Sequence, residues 1–207
     1  NVKYVTIGYF HTNVKIRSGN FITFENCSFI SPWKYGIDLG NTGEIDLGVF
    51  KFHNCNILSG YHNSGDSLIG ILYRGGGYAD ISHCHFNAQG VYNYNTQFKW
   101  QLYTTYEQGQ TSDFIVAYNL FENYRQNAIR LTNTGGVPPI YTIKIVGNMV
   151  SPFNQSQQAY NGIYVDGPFK DLSLIDNGGH SLVSSPTISP FVFLKVNNVL
   201  QLKIQEG

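Results

Sequence analysis

The sequence predicts an all-β chain wound as a solenoid of stacked coils, and three observations carry that reading. The first is a recurring hexapeptide. Phe24-Glu25-Asn26-Cys27-Ser28-Phe29 returns as Phe52-His53-Asn54-Cys55-Asn56-Ile57 and Ile81-Ser82-His83-Cys84-His85-Phe86, then more weakly around Asn119, Asn148 and Asn177. Anchored on Cys27, Cys55, Cys84, Asn119, Asn148 and Gly178, the copies step by 28, 29, 35, 29 and 30 residues. A unit of that length cannot bury its own apolar face and must stack on its neighbours. The second is composition: 15% aromatic residues, 22 Gly and only 13% charged residues suit short strands and tight turns rather than helices. The third is alternation inside each copy. Ile22 and Phe24 fall on one face, Thr23 and Glu25 on the other, the period of a strand.

The 207 residues suffice for one core, and 1–207 reads as a single domain. The formal net charge of +0 offers nucleic acid no basic patch. No apolar run approaches the roughly eighteen residues of a membrane helix, so no membrane partner is expected. The chain opens directly on the strand-like NVKYVTIGYF and ends partway through a further copy at QLKIQEG, which suggests a piece of a longer chain. Cys27, Cys55 and Cys84 sit one per repeat and read as small buried residues at equivalent positions. Adjacent coils lie about 4.8 Å apart, which a Cys55–Cys84 disulfide could span, although none is expected. No zinc spacing is present, and no metal or cofactor is predicted.

Taken in order, residues 3–20 give two short strands ending at Ser18-Gly19-Asn20. FITFENCSFI (21–30) alternates until Asn26 and Cys27 interrupt it as a turn; strands at 35–40 and 44–50 follow, making three strands and three turns per copy. The 35–40 strand recurs as Gly70-Ile71-Leu72-Tyr73-Arg74, Ala128-Ile129-Arg130-Leu131-Thr132 and Gly162-Ile163-Tyr164-Val165-Asp166. In the third coil Trp100-Gln101-Leu102-Tyr103 fits best. The first and third apolar residues of each copy point inward and the one between points out. Polar loops at 59–67, 87–99, 104–113, 133–141 and 151–161 vary in length, and those at 87–99 and 104–113 account for the 35-residue step. In solenoids such insertions gather on one side and build the binding face.

Copies of this length with a turn-borne ladder of Asn26, Asn54, Asn119 and Asn148 resemble a right-handed parallel β-helix of the pectate-lyase-like superfamily, here in six to seven coils. The ladder is mixed, because Cys, His83 and Tyr118 intrude and its positions slip by one residue midway. The abundance of Asn, Gly, Tyr and Thr with low charge is similar to bacteriophage tailspike and appendage proteins. That resemblance implies a homotrimer at a virion tail or other extracellular site that binds, or cleaves by endoglycosidase or lyase chemistry, bacterial surface polysaccharide. A non-catalytic glycan-binding module or adhesin is the alternative, because a fold of this kind does not specify an activity. A β-sandwich would also use short strands and regular turns, but the 28–30 residue self-similarity argues against it.

Candidate sites follow column by column. Outward residues of the first strand read Thr23, Lys51, Asp80, Ile115 and Lys144, with Glu25 beside His53 in the next column; a surface charge ladder is the plain interpretation. Outward residues of the 35–40 strand and its copies read Asp38, Leu72, Gln101, Arg130, Tyr164 and, two residues on, Gly40, Arg74, Tyr103, Thr132, Asp166. Arg74, Tyr103, Arg130, Tyr164 and Asp166 form the substrate-binding candidate: an aromatic face stacks on a sugar ring, and Arg or Asp takes hydroxyls or uronate carboxylates. An Arg130–Asp166 surface ion pair is the plain alternative. Glycoside hydrolysis needs two carboxyl groups about 5–9.5 Å apart, and Asp38 with Asp66 of the next coil is the best catalytic pair. Glu107 and Asp113 share one inserted loop. Asp38 and Asp166, four coils or roughly 19 Å apart, cannot cooperate. No recurring Asp cluster supports a calcium-dependent lyase. His83 and His85 lack a third metal ligand. Arg74-Gly75-Gly76-Gly77 is a turn. Trp33 and Trp100 read equally as packing residues or sugar platforms.

Overall fold

The structure is a computed structural model in which residues 1–17, 21–40, 48–60, 68–75, 77–88, 97–106, 113–135, 142–151, 161–179 and 192–205 are described. It is a right-handed parallel β-helix with three sheets. Sheet A stacks β1 (Val2–Lys3), β4 (Phe21–Glu25), β7 (Val49–His53), β10 (Tyr78–Ser82), β13 (Phe114–Ala117), β16 (Ile143–Val146), β19 (Leu172–Ile175) and β22 (Leu202–Gln205). Sheet B stacks β2 (Thr6–Gly8), β5 (Ser28–Ile30), β8 (Asn56–Ser59), β11 (His85–Ala88), β14 (Leu120–Glu122), β17 (Met149–Ser151) and β20 (Gly178–Gly179). Sheet C stacks β3 (Thr12–Ile16), β6 (Tyr35–Leu39), β9 (Ile69–Tyr73), β12 (Trp100–Tyr106), β15 (Asn127–Asn133), β18 (Asn161–Asp166) and β21 (Val192–Asn197). The chain visits A, B and C in turn, so each coil lies on the previous one.

A left-handed residue closes the corner between sheets A and B in every coil. Tyr4, Asn26, Asn54, His83, Tyr118, Gly147 and Asp176 all have φ between 51° and 62°. The next residue turns inward: Cys27, Cys55 and Cys84 in the earlier coils, Asn119, Asn148 and Asn177 in the later ones. The slip seen in the sequence is therefore two adjacent columns. Asn26 and Asn54 occupy the left-handed position, which asparagine tolerates better than most residues, and the Asn54 amide donates to Asn26. Asn119, Asn148 and Asn177 form the buried amide ladder, with Nδ2 to Oδ1 distances of 2.9 Å at both steps. Asn177 rather than Gly178 is thus the last anchor, and the final step is 29 residues. The cysteines are free thiols that meet the preceding coil's carbonyls instead, Cys55 to Phe24 and Cys84 to Phe52 at 3.5 Å.

The core is built from inward columns in register. Phe24, Phe52, Ile81, Val116, Ile145 and Leu174 run up sheet A, and Phe29, Ile57, Phe86, Phe121 and Val150 up sheet B. Phe24 stacks on Phe52 at 5.2 Å between ring centres and Phe86 on Phe121 at 4.5 Å. Each such buried side chain contributes about 1.5–3 kcal/mol. In sheet C, Ile37 and Leu39, Ile71 and Tyr73, and Ile129 and Leu131 point inward, as expected from the strand period.

Three local expectations need correction. Residues 2–16 hold the three strands of a first coil, β1 to β3, and not two strands; Tyr4 and Val5 stand at the Asn26 and Cys27 positions and hide the repeat. The third strand of each coil is the short sheet B strand after the turn. The only described strand within 44–50 is the beginning of β7, at Val49–Phe50. In the third coil Leu102, not Trp100, pairs with Ile71, so Tyr103 pairs with Leu72 and Arg130. That two-residue shift keeps each side chain on its face but moves Tyr103 one column over.

Candidate functional site on the outer face of sheet C

Corrected register brings Leu72, Tyr103, Arg130, Tyr164 and Lys195 into one outward column. A second column holds Thr105, Thr132, Asp166 and Asn197. Arg130, half-buried, lies between rings: its guanidinium carbon is 4.7 Å from the centre of Tyr164, 5.1 Å from Trp100 and 5.7 Å from Tyr103. Trp100 and Tyr103 contact each other at 4.7 Å. Lys99 rides over Trp100 at 5.0 Å and Lys195 over Tyr164 at 5.8 Å. Ring quadrupoles attract all three cations, most strongly where water is partly excluded. Among the described residues the buried Trp100 Nε1 and Arg130 Nε have no hydrogen-bond partner.

Around this cluster the hydroxyl and amide groups are already ordered. Thr132 Oγ1 donates to Tyr103 at 3.3 Å, and Tyr164 donates to Asp166 Oδ2 at 3.0 Å. Asn197 Nδ2 donates to the Tyr164 oxygen at 3.2 Å and Asn198 Nδ2 to Asp166 Oδ1 at 3.1 Å. Asp166 is therefore held by a phenol and an amide. Among the described residues it makes no ion pair with Arg130, the plain alternative considered for that pair.

Of the residues nominated from sequence, Tyr103, Arg130, Tyr164 and Asp166 come together here, and Arg74 does not. Arg74 and Arg17 clamp Asp38 from either side: Arg74 Nη1 bonds Oδ1, and Arg17 Nη2 bonds Oδ2 at 2.7 Å. The Asp38 side chain is only 4% exposed, so neither oxygen faces an open site. Its proposed catalytic partner Asp66 lies outside the described residues, as does Glu107. Asp113 accepts the Thr142 N–H at 3.2 Å.

Sequence reasoning undervalued Trp100 and overlooked Lys99, Lys195 and Arg17. Aligning Leu102 with Ile71 would have exposed the first two, because Trp100 then begins the strand one coil below Arg130. Arg17 carried a signal too, standing two residues after the outward Lys15 in a coil that was not recognised.

Elsewhere the outward columns of sheet A fall as expected, with Thr23, Lys51, Asp80, Ile115 and Lys144 in register. Lys51 covers the Tyr78 ring at 5.8 Å, and Tyr78 donates to Asp80. Burial and the Asp80 charge push the Tyr78 phenol above its usual value. A shallow cleft of about 180 Å³ beside it is lined by Tyr78, Asp113, Ile115, Thr142 and Lys144. His85 pairs with Glu122 at 2.8 Å, and His83 packs between His53 and Tyr118. Among the described residues no three His, Cys, Asp or Glu side chains converge on a metal position. Comparison with known proteins adds no relative: no family model, curated protein or solved structure matches the chain.

Proposed function

We propose that this β-helix engages polysaccharide along the outer face of sheet C, as a surface-glycan-binding segment of the bacteriophage tailspike or appendage kind within the pectate-lyase-like architecture. The observation that carries the reading is Arg130 packed among Trp100, Tyr103 and Tyr164. Half-exposed rings offer apolar faces to the C–H side of a sugar, while fixed hydroxyl, amide and carboxylate groups two residues away meet its hydroxyls. Such a mixture, mostly rigid and aromatic with a few placed polar groups, is what small polar ligands require. Host attachment at a virion tail and assembly as a homotrimer belong to the same proposal.

Binding is favoured over cleavage because Asp38, the carboxyl nominated for catalysis, is tied through both oxygens to arginines. The test is an array of bacterial capsular and lipopolysaccharide glycans probed with the labelled protein. Retention of at least one glycan is expected, with affinity falling about tenfold in Tyr164→Ala and in Trp100→Ala through loss of stacking. Parallel assays for reducing ends and unsaturated products should stay at background. A protein that retains no glycan, or whose retention is indifferent to both substitutions, overturns the assignment.

A further inference from the structure

We infer that the glycan this face receives carries a carboxylate, and that Arg130 is the residue that selects for it; the inference rests on the glycan-binding reading above. The chain offers an internal contrast. Arg17 and Arg74, on the same sheet, are both satisfied by Asp38. Arg130 has no carboxylate and no hydrogen-bond acceptor among the described residues, although it is half-buried and its Nε is shut away from water. It is held by ring faces alone.

A guanidinium held against rings keeps its N–H donors in its own plane as a rigid fork. That fork matches the two oxygens of a planar carboxylate. The neighbouring acid does not fill the role: Asp166 accepts from Tyr164 and Asn198 and makes no ion pair with Arg130 among the described residues. Lys99 and Lys195 flank the cluster, each over a ring and each without an ion pair among the described residues. Three cations against one acid make this face locally positive on a chain whose formal net charge is +0. Global charge does not demand that excess. A nucleic acid strand would also stack on rings beside cations, but its continuous phosphates would meet Asp166 on the same floor, whereas a sugar hydroxyl can use Asp166 as an acceptor.

The experiment probes the intact chain with bacterial capsular polysaccharides, each in native form and after chemical reduction of its carboxylates to alcohols. That treatment leaves sulfate and phosphate esters in place. Native carboxylated glycans are expected to bind, to lose about tenfold on carboxyl reduction, and to lose a similar factor in Arg130→Gln. Arg130→Lys, which keeps the charge and loses the fork, should fall between. For a glycan without carboxylates, Arg130→Gln should change affinity less than about twofold. Melting temperature monitors folding of each variant. Equal losses for neutral and carboxylated glycans in Arg130→Gln overturn the inference, as does binding unchanged by carboxyl reduction, which would point to sulfate or phosphate. Single-stranded DNA bound as tightly as the best glycan overturns it too. Retention of neutral glycans alone removes this inference and leaves the glycan-binding reading standing; retention of none removes both.

Discussion

Asn148 sits at the centre of the buried amide ladder, and its side chain is fully employed. Its Oδ1 accepts from the Asn119 backbone at 3.0 Å and amide at 2.9 Å, while Nδ2 donates to Val116, Val146 and Asn177. It is only 1% exposed, so water cannot replace those partners. Asn148→Ala should therefore cost about 3 kcal/mol, because several buried groups lose partners worth roughly 1–3 kcal/mol each. Asn148→Cys should cost about half as much, since a thiol at this position in the earlier coils reaches carbonyls of the preceding coil. Urea unfolding of the two variants checks the order; equal losses would mean that a thiol here replaces none of what the amide does. The same column explains what could be read beforehand. Cys and Asn alternate as solutions to one problem, a small side chain that can bond a carbonyl above a tight turn, so the repeat was visible despite the change of residue. Which of two adjacent Asn columns turned inward was not visible, because asparagine suits both a left-handed φ and a buried ladder.

Strands β3, β6 and β9 of sheet C are held by ion pairs as well as by their ladder bonds. Arg17 comes from just past β3, Asp38 from β6 and Arg74 from just past β9, so one carboxylate ties three successive coils. Asp38→Asn would leave two guanidiniums facing each other across a neutral amide. It should destabilise the protein by about 3–5 kcal/mol, the range for removing one partner of a buried pair, with the lower end favoured because Arg17 is 32% exposed. Glycan retention at Arg130, three coils away, should persist in this variant at a temperature where it remains folded. Loss of retention without loss of stability would instead make Asp38 a ligand-contacting residue. At this scale the sequence was readable where strands keep strict alternation: sheet A registered residue for residue from Thr23 to Lys144. It failed where alternation was locally ambiguous. Trp100-Gln101-Leu102-Tyr103-Thr104 offers two apolar registers two residues apart, and only the pairing with Ile71 decides between them. Asp38 was legible as outward-facing but not as buried, because its cover comes from arginines on other coils.

Taken as a whole, the molecule hides its three thiols inside the stack, which sets how stability should follow pH. Cys84 is 2% exposed and lies against the thiol of Cys55 one coil away; burial, then that neighbour, pushes its ionisation well above the ordinary 9.0. Tyr78 shifts in the same direction from 10.0, through burial and then Asp80. For an acid whose folded value is raised, the unfolded chain loses its proton first as pH climbs. Between the two values the unfolded state binds fewer protons than the folded one, so stability falls with rising pH. Lys3, raised by its bond to Glu25, has the same sign from 10.5 upward, but it is exposed and contributes little. Cys55, lowered by its hydrogen bond to Cys84, has the opposite sign and adds stability as pH rises towards 9.0, so the loss from the raised groups lies beyond 9.0 and steepens past 10.0. Melting temperatures from pH 7 to pH 10.5 should show that decline. Cys84→Ser, which retains a donor of similar size but removes the titration, should flatten its first part and leave the later part in place. If wild type and Cys84→Ser descend in parallel from pH 9.0 onward, the buried thiol is not what ties stability to pH, and the decline begins with Tyr78 on the outer face of sheet A.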